Sequence, residues 1–134
     1  MTPLFKKLNF KNQQQIVVLN APASFDAAMD EMKPHTKFVT KVSKGNVIEF
    51  ILVFVTKQSE IDKTIDTIFK QLEGDAILWF CYPKGSSKKY TCDFNRDNGW
   101  DKVKALGMDT VRSVAIDEDW TGLRFRKNEF IGKW

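Results

Sequence analysis

The chain has 134 residues, of which 43% are hydrophobic and 28% charged, with a formal net charge of +4. A chain of this length can build its own hydrophobic core, so we expect one domain over residues 1–134. Its longest apolar run is far shorter than the ~20 residues of a membrane helix, and its first residues lack the apolar segment of a leader, so we expect a cytoplasmic protein with no membrane partner. Basic and acidic residues are interspersed, which does not favour nucleic-acid binding.

Six segments, taken in chain order, have the pattern of strands, because they are short and apolar or alternating and end at turn residues. They cover residues 15–19, 37–42, 47–56, 76–82, 110–116 and 123–127. Capping and stop signals predict three helices between them. The first begins at Ser24 and ends at Pro34, the second runs from Ser59 to Gly74, and the third runs from Asp93 to Gly107 with Leu106 facing inward.

Strands that alternate with helices predict an α/β fold with a mostly parallel sheet, and the last two segments predict an antiparallel hairpin at its edge. The connection from Val42 to Val47 is too short for a helical crossover. Either the strands that flank it pair as a hairpin, or an extended loop returns along the sheet. Cys81 and Cys92 form no Cys-x-x-Cys pair, so we expect both to be reduced thiols.

Three segments carry a family resemblance: Leu-Asn-Ala-Pro at 19–22, Tyr-Pro-Lys at 82–84 and Trp-Thr-Gly-Leu at 120–123. Together with the apolar strands they resemble a family of short bacterial proteins described only as a domain of unknown function. That family has Trp where this chain has Tyr82, and Ser where it has Thr121. The resemblance implies a three-layer Rossmann-like sheet, distantly similar to a shortened methyltransferase domain. It favours the extended loop between residues 42 and 47, and it brings no established activity.

The carboxyl ends of the predicted strands are where open α/β sheets bind ligands. The loop that follows Pro83 offers hydroxyls, backbone amides and ammonium groups, which suit a phosphate or a carboxylate. The candidate ligand-binding residues are Asn20, Pro22, Thr56, Tyr82, Lys84, Ser86, Ser87, Lys88 and Trp120.

Cofactor signals are weak in this sequence. Nucleotide sites place glycines after the first strand so that the ligand can approach the backbone, but residues 20–24 contain no glycine and Pro22 lacks an amide donor. Thr40 and Lys41 stand where an acidic residue would hold a ribose. No metal-ligand spacing or nucleophile motif occurs, so we expect no cofactor and no metal and assign no catalytic residue.

Three functions are compatible with these observations. We expect a non-enzymatic domain that binds a small anionic ligand or a protein partner at the strand ends, as a monomer or weak homodimer. The alternative is a divergent, methyltransferase-like transferase, which rests on the fold resemblance alone. A second alternative is weak nucleic-acid binding, which the net positive charge permits.

Overall fold

The computed structural model describes residues 2–132, which form four α-helices and six strands. The helices are α1 (Pro3–Lys7), α2 (Asp26–Met32), α3 (Gln58–Ile68) and α4 (Asp101–Ala105). The strands are β1 (Gln15–Leu19), β2 (Lys37–Val39), β3 (Ile48–Phe54), β4 (Leu72–Pro83), β5 (Met108–Ala115) and β6 (Trp120–Lys127). Short 3₁₀ turns lie at Ala23–Phe25, Phe69–Gln71 and Asn128–Phe130. Within residues 2–132, none of the helices has the length and apolar character needed to cross a membrane.

The six strands form one sheet in the order β2-β1-β3-β4-β6-β5. The first four run parallel, while β6 runs antiparallel to both of its neighbours. The predicted Rossmann-like α/β fold with a C-terminal antiparallel pair is therefore confirmed. Because β1 lies between the parallel strands β2 and β3, residues 40–47 must return along the sheet as an extended loop. The hairpin alternative is wrong.

The core has two halves, one on each face of the sheet, which gives the three layers. Successive side chains of a strand point to opposite faces, and β4 divides accordingly. Phe80 and Tyr82 join the cluster under α3 and α4, whereas Trp79 and Cys81 join the cluster under α1 and α2. The buried Trp79 indole donates through Nε1 to the Leu8 carbonyl at 3.0 Å, so its polar atom is satisfied. Burial raises the pKa of the Cys81 thiol.

The predicted N-caps of the first two helices are wrong, and so is the predicted end of the second. Ser59 does not begin α3, since the helix follows Lys57, and its first turn is held by the Glu60 carboxylate, whose Oε1 accepts from the Lys57 amide at 3.0 Å. Ser24 lies in a 3₁₀ turn and donates through Oγ to Asp117 Oδ2 at 3.1 Å, a residue near β6. Gly74, predicted to end the second helix, lies inside β4.

The predicted third helix is much shorter than expected. Asp93 does not cap it, because α4 begins only at Asp101. Gly99 adopts φ +107°, which breaks the helical path, and a Cβ at that position would come within 2.7 Å of the Phe94 side chain. Leu106 was expected to face inward but is 36% exposed, since the helix ends one residue before it.

Candidate functional site at the carboxyl edge of the sheet

Two clefts open at the edge where β1 to β4 end and β6 begins. The first, which we call the α3 cleft, has a volume of about 380 Å³ and is lined by Asn20 after β1, Lys41 and Val42 after β2, and Glu60 and Lys63 of α3. The second, the loop cleft, has a volume of about 540 Å³. Its lining includes Tyr82, Lys84, Ser87, Tyr90, Cys92 and Arg96. A larger depression of about 620 Å³ lies at the opposite edge, where β1 and β3 begin.

The turn after β1 forms without a glycine. Asn20 adopts φ 60°, in the left-handed region that glycine usually occupies and that asparagine tolerates better than other residues. The chain therefore turns sharply at the end of β1. The lack of glycine in residues 20–24 counted against a nucleotide site in the sequence. The chain nevertheless makes the sharp turn, with Asn20 in place of a glycine.

Glu60 connects the end of β3 to the start of α3. Its Oε1 accepts from the Thr56 amide at 2.8 Å, the Thr56 hydroxyl at 3.2 Å and the Lys57 amide at 3.0 Å. All three bonds end on the same oxygen, and Oε2 accepts no hydrogen bond within residues 2–132. A half-buried carboxylate with one uncommitted oxygen therefore lines the α3 cleft. The sequence does not mark Glu60 as a candidate, because an acidic residue in the first turn of a helix is ordinarily explained by the helix dipole.

The loop cleft is closed on one side by residues 84–90, which are fixed to the β5–β6 hairpin. The Lys84 amide donates to the Asp119 carbonyl at 2.8 Å. The Ser87 hydroxyl donates to Asp119 Oδ1 at 2.9 Å and accepts from the Tyr90 amide at 3.2 Å. Ser87 and the backbone amides of this loop were predicted to bind an anion. Ser87 and the Lys84 amide are instead occupied by these hydrogen bonds, which hold the loop in place.

Tyr82 lies at the base of the loop cleft with 6% of its surface exposed. Burial raises the pKa of its hydroxyl, and the nearby Arg96 guanidinium acts in the opposite direction. The fully buried unpaired side-chain atoms within residues 2–132 belong to Asp62, Trp120 and Arg124. The Tyr82 hydroxyl, which has no hydrogen-bond partner there, therefore keeps contact with the open cleft.

The structure separates the predicted site residues into three groups. Asn20 lines the α3 cleft, while Tyr82, Lys84 and Ser87 line the loop cleft. Trp120 is 4% exposed and packs against Phe54 and Tyr90, with ring centroids 5.3 and 5.0 Å away. The residues that line neither cleft are Pro22, Thr56, Ser86, Lys88 and Trp120.

Within residues 2–132, no three His, Cys, Asp or Glu side chains are grouped so that they could hold a metal ion. Cys81 and Cys92 are both free thiols.

Comparison of the sequence with family models and with curated proteins finds no match. Comparison of the fold finds many solved structures that are similar to it. A SAM-dependent methyltransferase from Aquifex aeolicus is 12% identical, with a TM-score of 0.61 over 92% of this chain and 87% of that one. The N-methyltransferase NodS from Bradyrhizobium japonicum is 14% identical, with a TM-score of 0.53 over 92% of each chain. A ribosomal protein L11 methylase from Lactobacillus delbrueckii is 8% identical, with a TM-score of 0.55 over 92% of this chain and 76% of that one.

These similarities define the fold as that of the Rossmann-like methyltransferases. They support the distant methyltransferase resemblance, whereas no family model supports the bacterial family of unknown function. They also correct the main functional prediction. Because the fold is shared with proteins that are methyltransferases, the methyltransferase-like alternative is favoured over a non-enzymatic binding domain.

Proposed function

We propose that this domain is a divergent methyltransferase-like transferase and that its α3 cleft binds S-adenosylmethionine. The observation that supports this most directly is the coincidence of the methyltransferase fold with a cleft beyond the ends of β1 and β2. The cleft lies beside the strands where an open α/β sheet binds its ligand. Its volume of about 380 Å³ falls within the range of small-molecule sites.

The groups that line the α3 cleft match the parts of this ligand. Leu19, Val42 and Ile68 provide an apolar surface for the adenine ring. Glu60 Oε2 has room to accept hydrogen bonds from the ribose hydroxyls, so α3 supplies the carboxylate that is missing at the end of β2. The ammonium group of Lys63 suits the carboxylate of the methionyl part.

When bound, S-adenosylmethionine supplies a methyl group activated by its positively charged sulfur. The protein's part in this proposal is to bind and orient. Asn20, whose backbone is in the left-handed conformation, turns the chain away from the end of β1 and leaves the strand end accessible. Glu60 is itself held by the Thr56 and Lys57 amides, so its carboxylate is already oriented before any ligand arrives.

The proposal is tested by calorimetric titration of S-adenosylmethionine into the wild-type protein and the Glu60→Gln variant. The glutamine oxygen can still accept from the Thr56 amide, so α3 keeps its first-turn support while the charge is removed. We expect binding to weaken about tenfold or more, because a hydrogen bond to a charged group is lost.

The matched control is Glu31→Gln, an exposed acid on α2 outside both clefts, which should bind like the wild type. Equal unfolding midpoints of the three proteins would show that folding is unaffected. A wild-type protein that takes up no ligand at millimolar concentration would overturn the proposal. Equal affinities of the wild type and Glu60→Gln would remove Glu60 from the site.

A further inference from the structure

The loop cleft combines aromatic side chains with an uncommitted cation. Tyr82, Tyr90 and Phe94 line it, and Tyr82 and Phe94 pack together with ring centroids 5.5 Å apart. Arg96, which lies in the loop between β4 and α4, lines the same cleft. It forms no ion pair within residues 2–132, where the ion pairs involve Lys33, Lys102 and Arg126.

Two acidic side chains near this cleft each have a donor on one carboxylate oxygen. Asp119 Oδ1 accepts from the Ser87 hydroxyl at 2.9 Å, and Asp93 Oδ1 accepts from the Gln58 amide at 2.7 Å. Asp97 is solvent-exposed, as Arg96 is, and its carboxylate helps to raise the pKa of Tyr82, but it does not line the cleft. The charged side chains that line the cleft are therefore the basic Lys84 and Arg96, so the cleft favours an anion.

Each of these groups suits a different part of a single small ligand. A guanidinium presents a planar fork of donors that matches a carboxylate. The Tyr82 hydroxyl, 94% of whose residue surface is buried, has no hydrogen-bond partner within residues 2–132 and can donate to or accept from a ligand. The aromatic side chains offer an apolar wall on which a ring can pack.

We propose that the loop cleft binds a small aromatic carboxylate, with its carboxylate on Arg96 and its ring against Tyr82 and Tyr90. This rests on the proposed function in one respect only, namely that the bound molecule is the second substrate of the transferase. The cleft is separate in its lining residues from the α3 cleft, so its occupancy can be measured without S-adenosylmethionine.

The thiol of Cys92 provides the readout. Cys92 lines the loop cleft and is half-buried, whereas Cys81 is fully buried in the core. A bound ligand should therefore slow the reaction of Cys92 with a neutral reagent such as iodoacetamide. Three probes are compared, namely 4-hydroxybenzoate, its uncharged analogue 4-hydroxybenzamide, and inorganic phosphate. We expect protection by 4-hydroxybenzoate at millimolar concentration and at least about tenfold weaker protection by the other two.

The variant Arg96→Gln should weaken protection by 4-hydroxybenzoate at least about tenfold and leave the benzamide unaffected. The matched control is Arg112→Gln, an exposed arginine of β5 outside the cleft, which should behave like the wild type. Equal protection by the benzoate and the benzamide would overturn the role of Arg96. Equal protection by phosphate would overturn the aromatic part of the proposal, and no protection by any probe would overturn it entirely.

These outcomes are independent of the α3 cleft. Protection by 4-hydroxybenzoate in a protein that does not bind S-adenosylmethionine would refute the proposed function and leave the carboxylate site standing. Binding of S-adenosylmethionine without protection of Cys92 would refute only the carboxylate site.

Discussion

Asp93 should stabilise α3 across a long sequence separation, and its removal gives the sharpest test of the fold. The first amides of an α-helix have no acceptor inside the helix. Lys57 at the N-cap has an ammonium side chain and cannot accept a hydrogen bond. The Gln58 amide is bound instead by Asp93 Oδ1 at 2.7 Å, from a residue 35 positions away. Asp93 also donates its own amide to the Thr56 carbonyl at 3.3 Å.

Asp93→Ala removes the acceptor and leaves the Gln58 amide to solvent. Loss of such a cap costs about 0.5–2 kcal/mol. For a domain of this size each kcal/mol lowers the unfolding midpoint by roughly 3–4 °C, so the expected decrease is about 1.5–8 °C. Asp93→Asn keeps an acceptor oxygen and should lose less. Asp97→Ala, an exposed acid four residues away, is the matched control and should unfold like the wild type.

The measurement is thermal unfolding by circular dichroism together with hydrogen exchange of the Gln58 amide. Faster exchange at Gln58 in Asp93→Ala, but not in Asp97→Ala, would assign the loss of stability to this one hydrogen bond. If Asp93→Ala unfolds within 1 °C of the control and Gln58 exchanges at the wild-type rate, Asp93 does not cap α3 (threshold of about a quarter of a kcal/mol).

Three further predictions concern the core and the sheet edge. Burial raises the pKa of Tyr82, so the Tyr82 hydroxyl ionises at a lower pH in the unfolded chain than in the folded one. The free energy of unfolding should therefore be unaffected below pH ~10 and should fall above it. Urea unfolding at alkaline pH should show a smaller loss in Tyr82→Phe than in the wild type. The hydrogen bond from Arg126 lowers the pKa of Asp75, so this ion pair contributes up to ~1 kcal/mol near neutral pH and loses that contribution as the pH falls through the lowered pKa. Asp75→Asn should therefore be less stable than the wild type at pH 7 in urea unfolding, and the difference should shrink as the pH is lowered. Trp79→Phe removes the bond to the Leu8 carbonyl and should lower the free energy of unfolding by about 1–3 kcal/mol, whereas a change below about 0.5 kcal/mol would contradict that role.

Strands that are buried on both faces could be predicted well from the sequence. Residues 15–19 coincide with β1, because a central parallel strand needs a continuous apolar run. β4 begins four residues earlier than predicted, at Leu72, where the chain reads Leu-Glu-Gly-Asp and has no strand pattern. Leu72 pairs with Ile48 across a register shift in the sheet, and such a pairing is invisible to local periodicity.

The predictions of the helix caps were wrong for a different physical reason. Capping rules assign a polar side chain to the helix that follows it in the chain. Here Ser24 binds Asp117 and Asp93 binds Gln58, so both side chains serve contacts that only the folded sheet creates. The local sequence around Asp93 is equally compatible with either use.

The sequence placed two of the residues that line the candidate clefts at the correct edge of the sheet, but it did not identify Glu60 or Arg96. Asn20 and Tyr82 lie at the carboxyl edge because parallel strands must all end there. Glu60 was missed because its carboxylate enters the α3 cleft from a helix, not from a strand end. Arg96 was missed because residues 93–107 were assigned to one helix, whereas the break at Gly99 turns the first half into a loop over the cleft.

The short connection after β2 explains why the α3 cleft is open, and the Gln71 side chain explains why the loop that lines it is held in place. Residues 40–47 replace a helical crossover, so no helix covers β1 and β2 on the side of α3 within residues 2–132. A loop of this length would be free to move if only its ends were held. The Gln71 side chain donates through Nε2 to the carbonyls of Ser43 and Asn46, both at 2.8 Å, and so ties the loop to the turn that follows α3. Lys41 and Val42 are thereby held against the cleft before a ligand binds, which reduces the ordering cost of binding.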